Sequence, residues 1–198
     1  MRPIRITGID TETTGPNQEK GDRIIEIAMI GVEYIPGQQF RVAKRYVSRC
    51  NPHKPIHPDA MAVHHITDAM VATAPEWDSI VPSIVGVLKA TDILVAHNMA
   101  FDGPFLAAEM LRVNVVPPDC ELFCTMENAR WAHPYGKAPK LQELCFALGI
   151  PYDPAKAHAA EYDIFQTLKC LSAGLARGFY TLPLEKFAND RTDAAVAA

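Results

Sequence analysis

The sequence predicts a single α/β domain in which a mixed β-sheet is flanked by helices. Segments rich in β-branched residues fill much of the N-terminal quarter of the chain and are separated by turn signals. From about residue 75 onward, the apolar residues recur with the period of a helix. A short apolar run at residues 93–96 interrupts the helices and is typical of a buried parallel strand. Antiparallel strands followed by strand–helix alternation favour this fold class.

The N-terminal part is predicted to form three strands joined by short turns, and therefore antiparallel neighbours. The strands cover residues 3–10, 22–35 and 39–48. Residues 50–58 follow and carry three prolines, the last of them Pro58. Because proline cannot donate a backbone hydrogen bond, we expect this stretch to form a loop.

The remainder of the chain is predicted to be mostly helical. An apolar stripe from Trp77 to Leu88 indicates a helix, and a second helix should follow Asn98 and continue through Leu111. Pro104 is expected in the first turn of that second helix, where its missing N–H costs nothing. Trp77 and Trp131 lie on helical stripes and are expected in the core. The later predicted elements are a strand near 121–124 and helices around 126–132, 140–148 and 160–176.

The composition fits one globular domain. The chain has 198 residues, of which 48% are apolar and 21% charged. The domain is predicted to cover residues 1–180 and to be followed by a short extension, residues 181–198. The alanine-rich end of the extension, beyond Arg191, is expected to be partly disordered. Within the extension, the segment 182–187 bears a weak resemblance to a peptide that docks on a replication clamp.

The N-terminus has no apolar leader segment, and no apolar run approaches the length of a membrane span. The 5 cysteines are odd in number and form no Cys-x-x-Cys pair. Cys124, Cys145 and Cys170 lie in apolar surroundings. We therefore expect buried free thiols, a reducing compartment, a cytoplasmic location and no membrane partner.

The formal net charge of −4 argues against a protein that holds nucleic acid by a broad basic surface. It is compatible with a protein that binds nucleic acid locally through metal ions, since two divalent cations would cancel that charge.

The first candidate site is the acidic stretch that contains Asp10 and Glu12 and ends at Gly15. Residues two apart on a strand point to the same face, so the two carboxylates would lie side by side. Adjacent carboxylates repel unless a cation lies between them, and hard divalent cations prefer such oxygen ligands. The alternative is a solvated acidic turn, which is equally common near glycine and proline.

The second candidate site is the run from His97 to Asp102, which lies where an apolar strand meets a helix. In open α/β sheets, ligands bind in the crevice at such strand ends. Asp102 would lie near the helix N-terminus, where the helix dipole favours a carboxylate. A helix-capping role for Asp102 is the alternative.

The third candidate site pairs His158 with Asp163. Five residues on a helix rotate by about 500°, which leaves the two side chains about 140° apart. If both face one site, His158 must lie on the loop before the helix, with Asp163 in the first turns. A histidine beside a fixed carboxylate suits a proton-transferring base beside a metal ligand. Alone, each residue is equally compatible with a solvent-exposed position.

Together the three sites supply four carboxylates, Asp10, Glu12, Asp102 and Asp163, from three elements that an α/β sheet can bring together. Without cations such a cluster would repel itself and resist burial. With two cations about 3.5–4 Å apart, it becomes the arrangement used for in-line attack on a phosphodiester.

These motifs resemble a known family. Asp10-Thr-Glu12-Thr13, His97-Asn98-x-x-Phe101-Asp102 and His158-x-Ala160-x-x-Asp163 are similar to the three Exo motifs of the DEDDh 3′-to-5′ exonucleases, the DnaQ-like family with a ribonuclease H-like fold. The resemblance covers about residues 4–176. Residues 55–70 and 124–130 are most similar to the exonuclease X branch. His65 stands where more common members carry glycine.

The resemblance implies a role for each matching residue. It implies two divalent ions, Mg²⁺ or Mn²⁺, held by Asp10, Glu12, Asp102 and Asp163, with His158 as the general base. It also implies that the terminal nucleotide contacts a further set of residues. These are Thr11, Thr13, His64, His97, Asn98 and Phe101.

The function implied is hydrolysis of DNA from a free 3′ end to nucleoside 5′-monophosphates, in repair or proofreading. Single-stranded or frayed ends are the expected substrate. Two alternatives stay open at this point: a 3′-to-5′ exoribonuclease, because the same motifs serve ribonucleases, and a non-catalytic nucleic-acid-binding module. A homodimer and a replication or repair partner are further expectations.

Overall fold

The computed structural model describes residues 2–187 and contains a five-stranded mixed sheet in the order β3-β2-β1-β4-β5. Strands β1 to β3 are antiparallel neighbours, and β4 and β5 run parallel to β1. The mixed sheet predicted from the sequence is therefore confirmed. The strands are β1 (Ile4–Thr13), β2 (Ile24–Tyr34), β3 (Arg41–Arg49), β4 (Ile93–Ala96) and β5 (Glu121–Cys124).

Helices flank the sheet on both faces. The α-helices are α1 (Pro58–His64), α2 (Asp68–Val71), α3 (Trp77–Lys89), α4 (Met99–Arg112), α5 (Leu141–Ala147) and α6 (Ala160–Ala176). Short 3₁₀ turns lie at Gln18–Lys20, Glu127–Ala132, Pro154–Lys156 and Leu184–Phe187.

The period-2 alternation of β1 divides the core between the two faces of the sheet. Ile6 packs on one side with the α6 residues Ile164 and Leu168. Ile9 packs on the other side among residues of α3 and α4, including Phe105. Even-numbered positions of β1 therefore face α6, and odd-numbered positions face α4.

Gly8 permits the close approach of α6 to β1. A Cβ atom at this position would lie 2.5 Å from Cδ1 of Ile164, well inside van der Waals contact. The residue that follows Gly8 by two positions on the same face is Asp10. The missing side chain at Gly8 thus sets how closely α6, and Asp163 on it, approaches the acidic end of β1.

The two proline predictions were wrong in position. Helix α1 begins at Pro58, the residue with which the predicted loop was to end, because proline at the first helical position gives up an N–H that has no helical partner there. Helix α4 begins at Met99, separated from the end of β4 by two residues, so Pro104 is its sixth residue and not part of its first turn. That proline removes the hydrogen bond that Ala100 would otherwise accept.

Three smaller expectations also fail. The predicted helix around 126–132 is a 3₁₀ turn with a non-helical residue at Ala129. Trp131 is 39% exposed and stacks on Phe179, because it lies at the surface end of this turn. The β1–β2 connection is not a short turn, since it contains the 3₁₀ turn Gln18–Lys20. Trp77 is buried, as predicted.

The C-terminal segment packs on the domain as far as it is described. Leu182 is buried, and Leu184 and Phe187 pack against the same core cluster as α6, so these side chains do not form a free docking peptide. The domain limit at residue 180 stays a prediction, and the expected disorder beyond Arg191 falls outside residues 2–187.

All five cysteines are free thiols. Cys145 and Cys170 are buried, whereas Cys124 is only half-buried, because it lies at the end of the edge strand β5. In the described range, no helix is both long and apolar enough to cross a membrane.

Candidate active site

A cavity of about 1030 Å³ opens where β1 and β4 end, at their carboxyl edges. All of the predicted site side chains line it, so the structure brings together residues from both ends of the sequence. Their chemical roles stay predictions. The residues concerned are Asp10, Thr11, Glu12, Thr13, His64, His97, Asn98, Phe101, Asp102, His158 and Asp163.

Alternation along β1 distributes the acidic site over both faces of the sheet. Asp10 and Glu12 occupy even-numbered positions and lie on the side of α6, which carries Asp163. Thr11 occupies an odd-numbered position, and its Oγ1 donates to Oδ1 of Asp102 at 2.7 Å. Asp102 lies near the N-terminus of α4, as predicted. The end of β1 therefore lies between the two helices that carry the other two carboxylates.

His158 lies on the loop before α6, and Asp163 is the fourth residue of that helix. The expectation that His158 lies on the loop before the helix, with Asp163 in its first turns, is confirmed. The backbone N–H of His158 donates to Oδ2 of Asp163 at 2.8 Å, and the hydroxyl of Tyr152 lies 3.4 Å from Oδ1 of the same carboxylate. His158 has φ +60°, a left-handed conformation that non-glycine residues rarely adopt and that is common at functional sites.

Burial and mutual repulsion raise the pKa values of the carboxyl groups. The pKa of Glu12 rises to about 9, first because of burial and then because of the charges of Asp163 and Glu26. Burial raises the pKa of Asp102 to about 7. Burial and the charge of Asp102 hold the pKa of Asp10 well above its ordinary value. Burial also raises the pKa of Asp163. As anions these groups are therefore strongly attracted to positive charge.

Glu26 is an additional carboxylate that the sequence reasoning missed. It lies on β2 directly opposite Glu12, a position in which like charges destabilise a strand pair. Arg49 on β3 donates to Glu26 at 2.9 Å and offsets that repulsion. No sequence signal identifies this neighbour, because it depends on the register between two strands.

The donor set fits a hard divalent cation, since it consists of carboxylate oxygens whose charges are not balanced by nearby cations. Within residues 2–187, however, no three His, Cys, Asp or Glu side chains already stand in an arrangement that could hold a metal ion. The number and identity of the ions stay predictions.

The rings of His64 and His97 are both engaged by the protein. Nε2 of His64 lies 3.2 Å from the Thr13 carbonyl, and Nδ1 accepts from the Ile66 N–H. In His97, Nε2 lies 3.1 Å from the Pro139 carbonyl, and Nδ1 lies 3.0 Å from Oγ1 of Thr125. Burial lowers the pKa of His97 to about 4, so the ring is neutral. Both rings shape the cavity by holding its walls together.

Phe101 and Asn98 are better placed to meet a ligand. The Phe101 ring is half-buried against Phe105, with ring centroids 4.9 Å apart, and also lines the cavity. The Phe101 ring therefore contributes both to core packing and to the cavity wall. Asn98 is exposed, and its side chain makes no capping hydrogen bond to α4.

Several lining residues were not among the predicted site residues. Tyr152 gave no signal beyond being an aromatic residue upstream of His158. In the sequence, Lys140 belongs with Lys137 and Arg130 to a modest basic group that could steer a phosphate backbone or lie on a solvated face. The other unpredicted residues lie after β1, at the start of and along α1, after β5, around the start of α5 and before α6. Examples are His57, Val63, Met126, Gln142 and Pro154.

Comparison with known proteins gives a consistent picture. The RNase T family model, described as exonuclease, matches residues 7–171. The chain is 33% identical over 171 residues to DNA polymerase III subunit epsilon of Pasteurella multocida, covering 82% of this chain and 64% of that protein. It is also 33% identical over 162 residues to the epsilon subunit of Treponema pallidum, covering 81% of this chain and 71% of that protein.

Among solved structures, the fold is similar to that of exonuclease X in complex with 5′ overhanging duplex DNA. The TM-score is 0.64 and the identity 29%, over 89% of this chain and 94% of that chain. The similarity to the exonuclease X branch, noted in the sequence for residues 55–70 and 124–130, is accompanied by a similarity of fold. The chain spans 64% of the length of the first epsilon subunits that it matches.

Proposed function

The chain belongs to the RNase T exonuclease family, and we propose that it is a metal-dependent 3′-to-5′ exonuclease that releases nucleoside 5′-monophosphates from DNA. One observation carries the proposal. Four carboxylates from β1, α4 and α6 converge on one cavity, with His158 tied to the last of them. A cluster of like charges on three elements is costly unless it binds cations.

We propose that Asp10, Glu12 and Asp163 hold one divalent cation and that Asp10 and Asp102 hold a second, partly through water. When bound, the cations would lower the pKa of a coordinated water and offset charge on the phosphate. The hydrogen bonds from Thr11 to Asp102 and from His158 to Asp163 fix the direction of two of these carboxylates. Mg²⁺ or Mn²⁺ would suit this oxygen-only set.

His158 would accept the proton of the attacking water. Its backbone is fixed by Asp163, while its side chain is exposed toward the cavity and can reach solvent to pass the proton on. A neutral imidazole is the side chain best suited to proton transfer near neutral pH. Asp163 thereby serves twice, as a metal ligand and as the anchor of the base.

The terminal nucleotide would lie along the end of β1, with the Asn98 amide and the Phe101 ring beside it. Stacking of a base on an aromatic ring contributes about 1–3 kcal/mol and tolerates every base. This arrangement suits an enzyme that removes successive nucleotides of any sequence.

DNA is proposed as the substrate because the relatives are named for DNA polymerase III and the similar exonuclease X structure holds DNA. A 3′-to-5′ exoribonuclease is the competing function within the same chemistry, and the test below separates them. A non-catalytic binding module is disfavoured, because it would not need the complete set of carboxylates. The five free thiols fit a reducing compartment, so we place the protein in the cytoplasm. A homodimer and a replication or repair partner stay proposals.

The test uses 5′-labelled single-stranded DNA and RNA of one sequence, with Mg²⁺ and with or without a chelator. We expect a chelator-sensitive ladder that shortens from the 3′ end, and faster shortening of DNA. Faster shortening of RNA would favour the exoribonuclease. An intact label on both strands, with metal bound, would refute the proposed activity.

Two variants separate the proposed roles. Asp163→Ala and His158→Ala should each abolish the ladder, whereas calorimetric Mn²⁺ affinity should fall strongly only for Asp163→Ala. Substantial activity of His158→Ala would remove the general-base assignment.

A further inference from the structure

The segment His133–Lys140, which we call the lysine turn, forms part of one wall of the cavity. Ala138 and Lys140 line the cavity directly, as do Leu141 and Gln142 at the start of α5. The cavity floor is acidic, and the chain carries a net charge of −4. Apart from metal ions bound at the floor, cations on the walls are therefore the groups that can attract a chain of phosphates.

Two cations of the lysine turn have no anionic partner among the residues that the structure describes. Lys137 and Lys140 are exposed and form no ion pair with any residue in the range 2–187. Neighbouring cations are paired, since Arg130 binds Glu127 at 2.6 Å and Lys156 lies 3.5 Å from Asp153. A pair of uncompensated ammonium groups beside an acidic cavity is available for an anionic ligand.

The tip of the lysine turn exposes a large aromatic side chain. Tyr135 is 85% exposed, and its ring contacts only the ring of His133, with centroids 5.8 Å apart, among the described aromatic pairs. Gly136 follows with φ +66° and closes the turn by donating to the His133 carbonyl at 2.9 Å. Nothing in the core accounts for an aromatic residue here, whereas a stacking surface would.

The backbone of the lysine turn is held firmly while its side chains point outward. Arg130 donates to the Gly136 carbonyl at 3.3 Å, and the His97 ring holds the Pro139 carbonyl at 3.1 Å. The backbone N–H of Lys140 donates to Glu143 at 2.8 Å. The turn is thus joined to the strand end that carries His97, so the backbone from which its lysines extend is held in place relative to the carboxylates.

We propose that the lysine turn binds the substrate strand on the 5′ side of the reacting nucleotide. Lys137 and Lys140 would contact its phosphates, and Tyr135 would stack on one of its bases. This inference rests on the proposed function, and it extends the site beyond the terminal nucleotide. The ligand is a single-stranded nucleic acid of any sequence, because neither an ammonium group nor a phenol ring reads base edges.

The test compares two substrates that differ only in the presence of this upstream strand. One is a DNA oligonucleotide of about 12 nucleotides, long enough to leave the cavity. The other is the p-nitrophenyl ester of thymidine 5′-monophosphate, which has no upstream phosphate. The variants are the double substitution Lys137→Ala with Lys140→Ala, and Tyr135→Ala. Lys89→Ala, an exposed lysine at the end of α3, is the matched control.

For the double lysine variant we expect KM for the oligonucleotide to rise about tenfold, because two phosphate contacts are lost. Hydrolysis of the ester should stay within a factor of about two. In the His158→Ala background, where cleavage is absent, fluorescence anisotropy with Mg²⁺ should show weaker oligonucleotide binding. The slope of log K against log salt should fall by about 1.4, or about 0.7 for each contact. Tyr135→Ala should weaken binding about tenfold without changing this slope.

The inference is overturned if the lysine variant binds the oligonucleotide with the affinity and salt slope of the Lys89→Ala control. It is also overturned if ester hydrolysis falls as much as oligonucleotide hydrolysis, because the turn would then act on the terminal nucleotide alone. A wild-type protein that binds the oligonucleotide but hydrolyses neither substrate would contradict the proposed function instead. In that case the anisotropy comparison would still decide whether the turn binds the strand.

Discussion

The loop that carries His158 is fastened to α6 through Tyr162, and removing that fastening should slow catalysis. The hydroxyl of Tyr162 accepts from the backbone N–H of Asp153 at 2.6 Å. Further along the loop, the left-handed backbone of His158 costs about 1–2 kcal/mol. Its hydrogen bond to Asp163 offsets part of that cost. Tyr162→Phe removes one hydroxyl and leaves both proposed functional residues in place.

The size of the effect follows from the lost bond. A neutral hydrogen bond contributes about 0.5–1.5 kcal/mol net, and Asp153 is exposed, so water can replace the lost partner. If that energy holds the loop in its catalytic position, kcat should fall about 2- to 12-fold at 25 °C. KM should change by less than about twofold, because the loop does not carry the proposed nucleotide contacts.

The assay measures the single-turnover rate and KM of wild type, Tyr162→Phe and Tyr180→Phe. A residue that positions the proposed base should change the rate of the chemical step and leave KM nearly unchanged. Tyr180→Phe is the matched control, because its hydroxyl also forms a hydrogen bond with the backbone, donating to the Thr125 carbonyl at 3.0 Å, but away from the loop. An equal fractional loss of rate in Tyr180→Phe, or a change confined to KM, would refute the reasoning.

Three predictions concern stability and are measured by urea denaturation. The hydrogen bonds from Arg5 and Arg2 outweigh burial and lower the pKa of Asp92 to about 2. Asp92 should thus stabilise the fold by about 1–2 kcal/mol above about pH 4. Asp92→Asn should lower the free energy of unfolding by this amount at pH 7 and by little at pH 2. An equal loss at both pH values would contradict the prediction. His65→Gly should stabilise the protein by about 1 kcal/mol, because residue 65 has φ +60°, which glycine adopts without strain. An unchanged free energy of unfolding would contradict this prediction. Gly8→Ala should cost about 1–3 kcal/mol through its clash with Ile164, and shortening Ile164 to valine should recover part of the loss.

The sequence identified elements and chemistry wherever the signal is local. The limits of α6 are those predicted, residues 160–176, because a helix of this length repeats its pattern many times. Helical geometry placed His158 off the helix once both residues were assumed to serve one site, since a fixed rotation per residue cannot turn both it and Asp163 to that site. Strand alternation likewise placed Asp10 beside Glu12.

The same local reasoning failed where a neighbour in space overrides the pattern. Pro104 lies inside α4 because the helix is placed by packing on the sheet, which outweighs one missing hydrogen bond. His65 takes a conformation suited to glycine at the end of α1, and no residue-by-residue preference would have predicted it. Short helices such as α1 and α2 have too few turns to show a period.

The residues of the candidate site can be identified from the sequence: four carboxylates and a histidine on elements that an α/β sheet can join. How they are held is visible only in the folded chain. Glu26 faces Glu12 through strand register, and the lysine turn reaches the cavity because the His97 ring holds the Pro139 carbonyl, 42 positions away in the chain. Such contacts depend on how segments far apart in the sequence pack together. Periodicity along the chain carries no information about which of these segments meet.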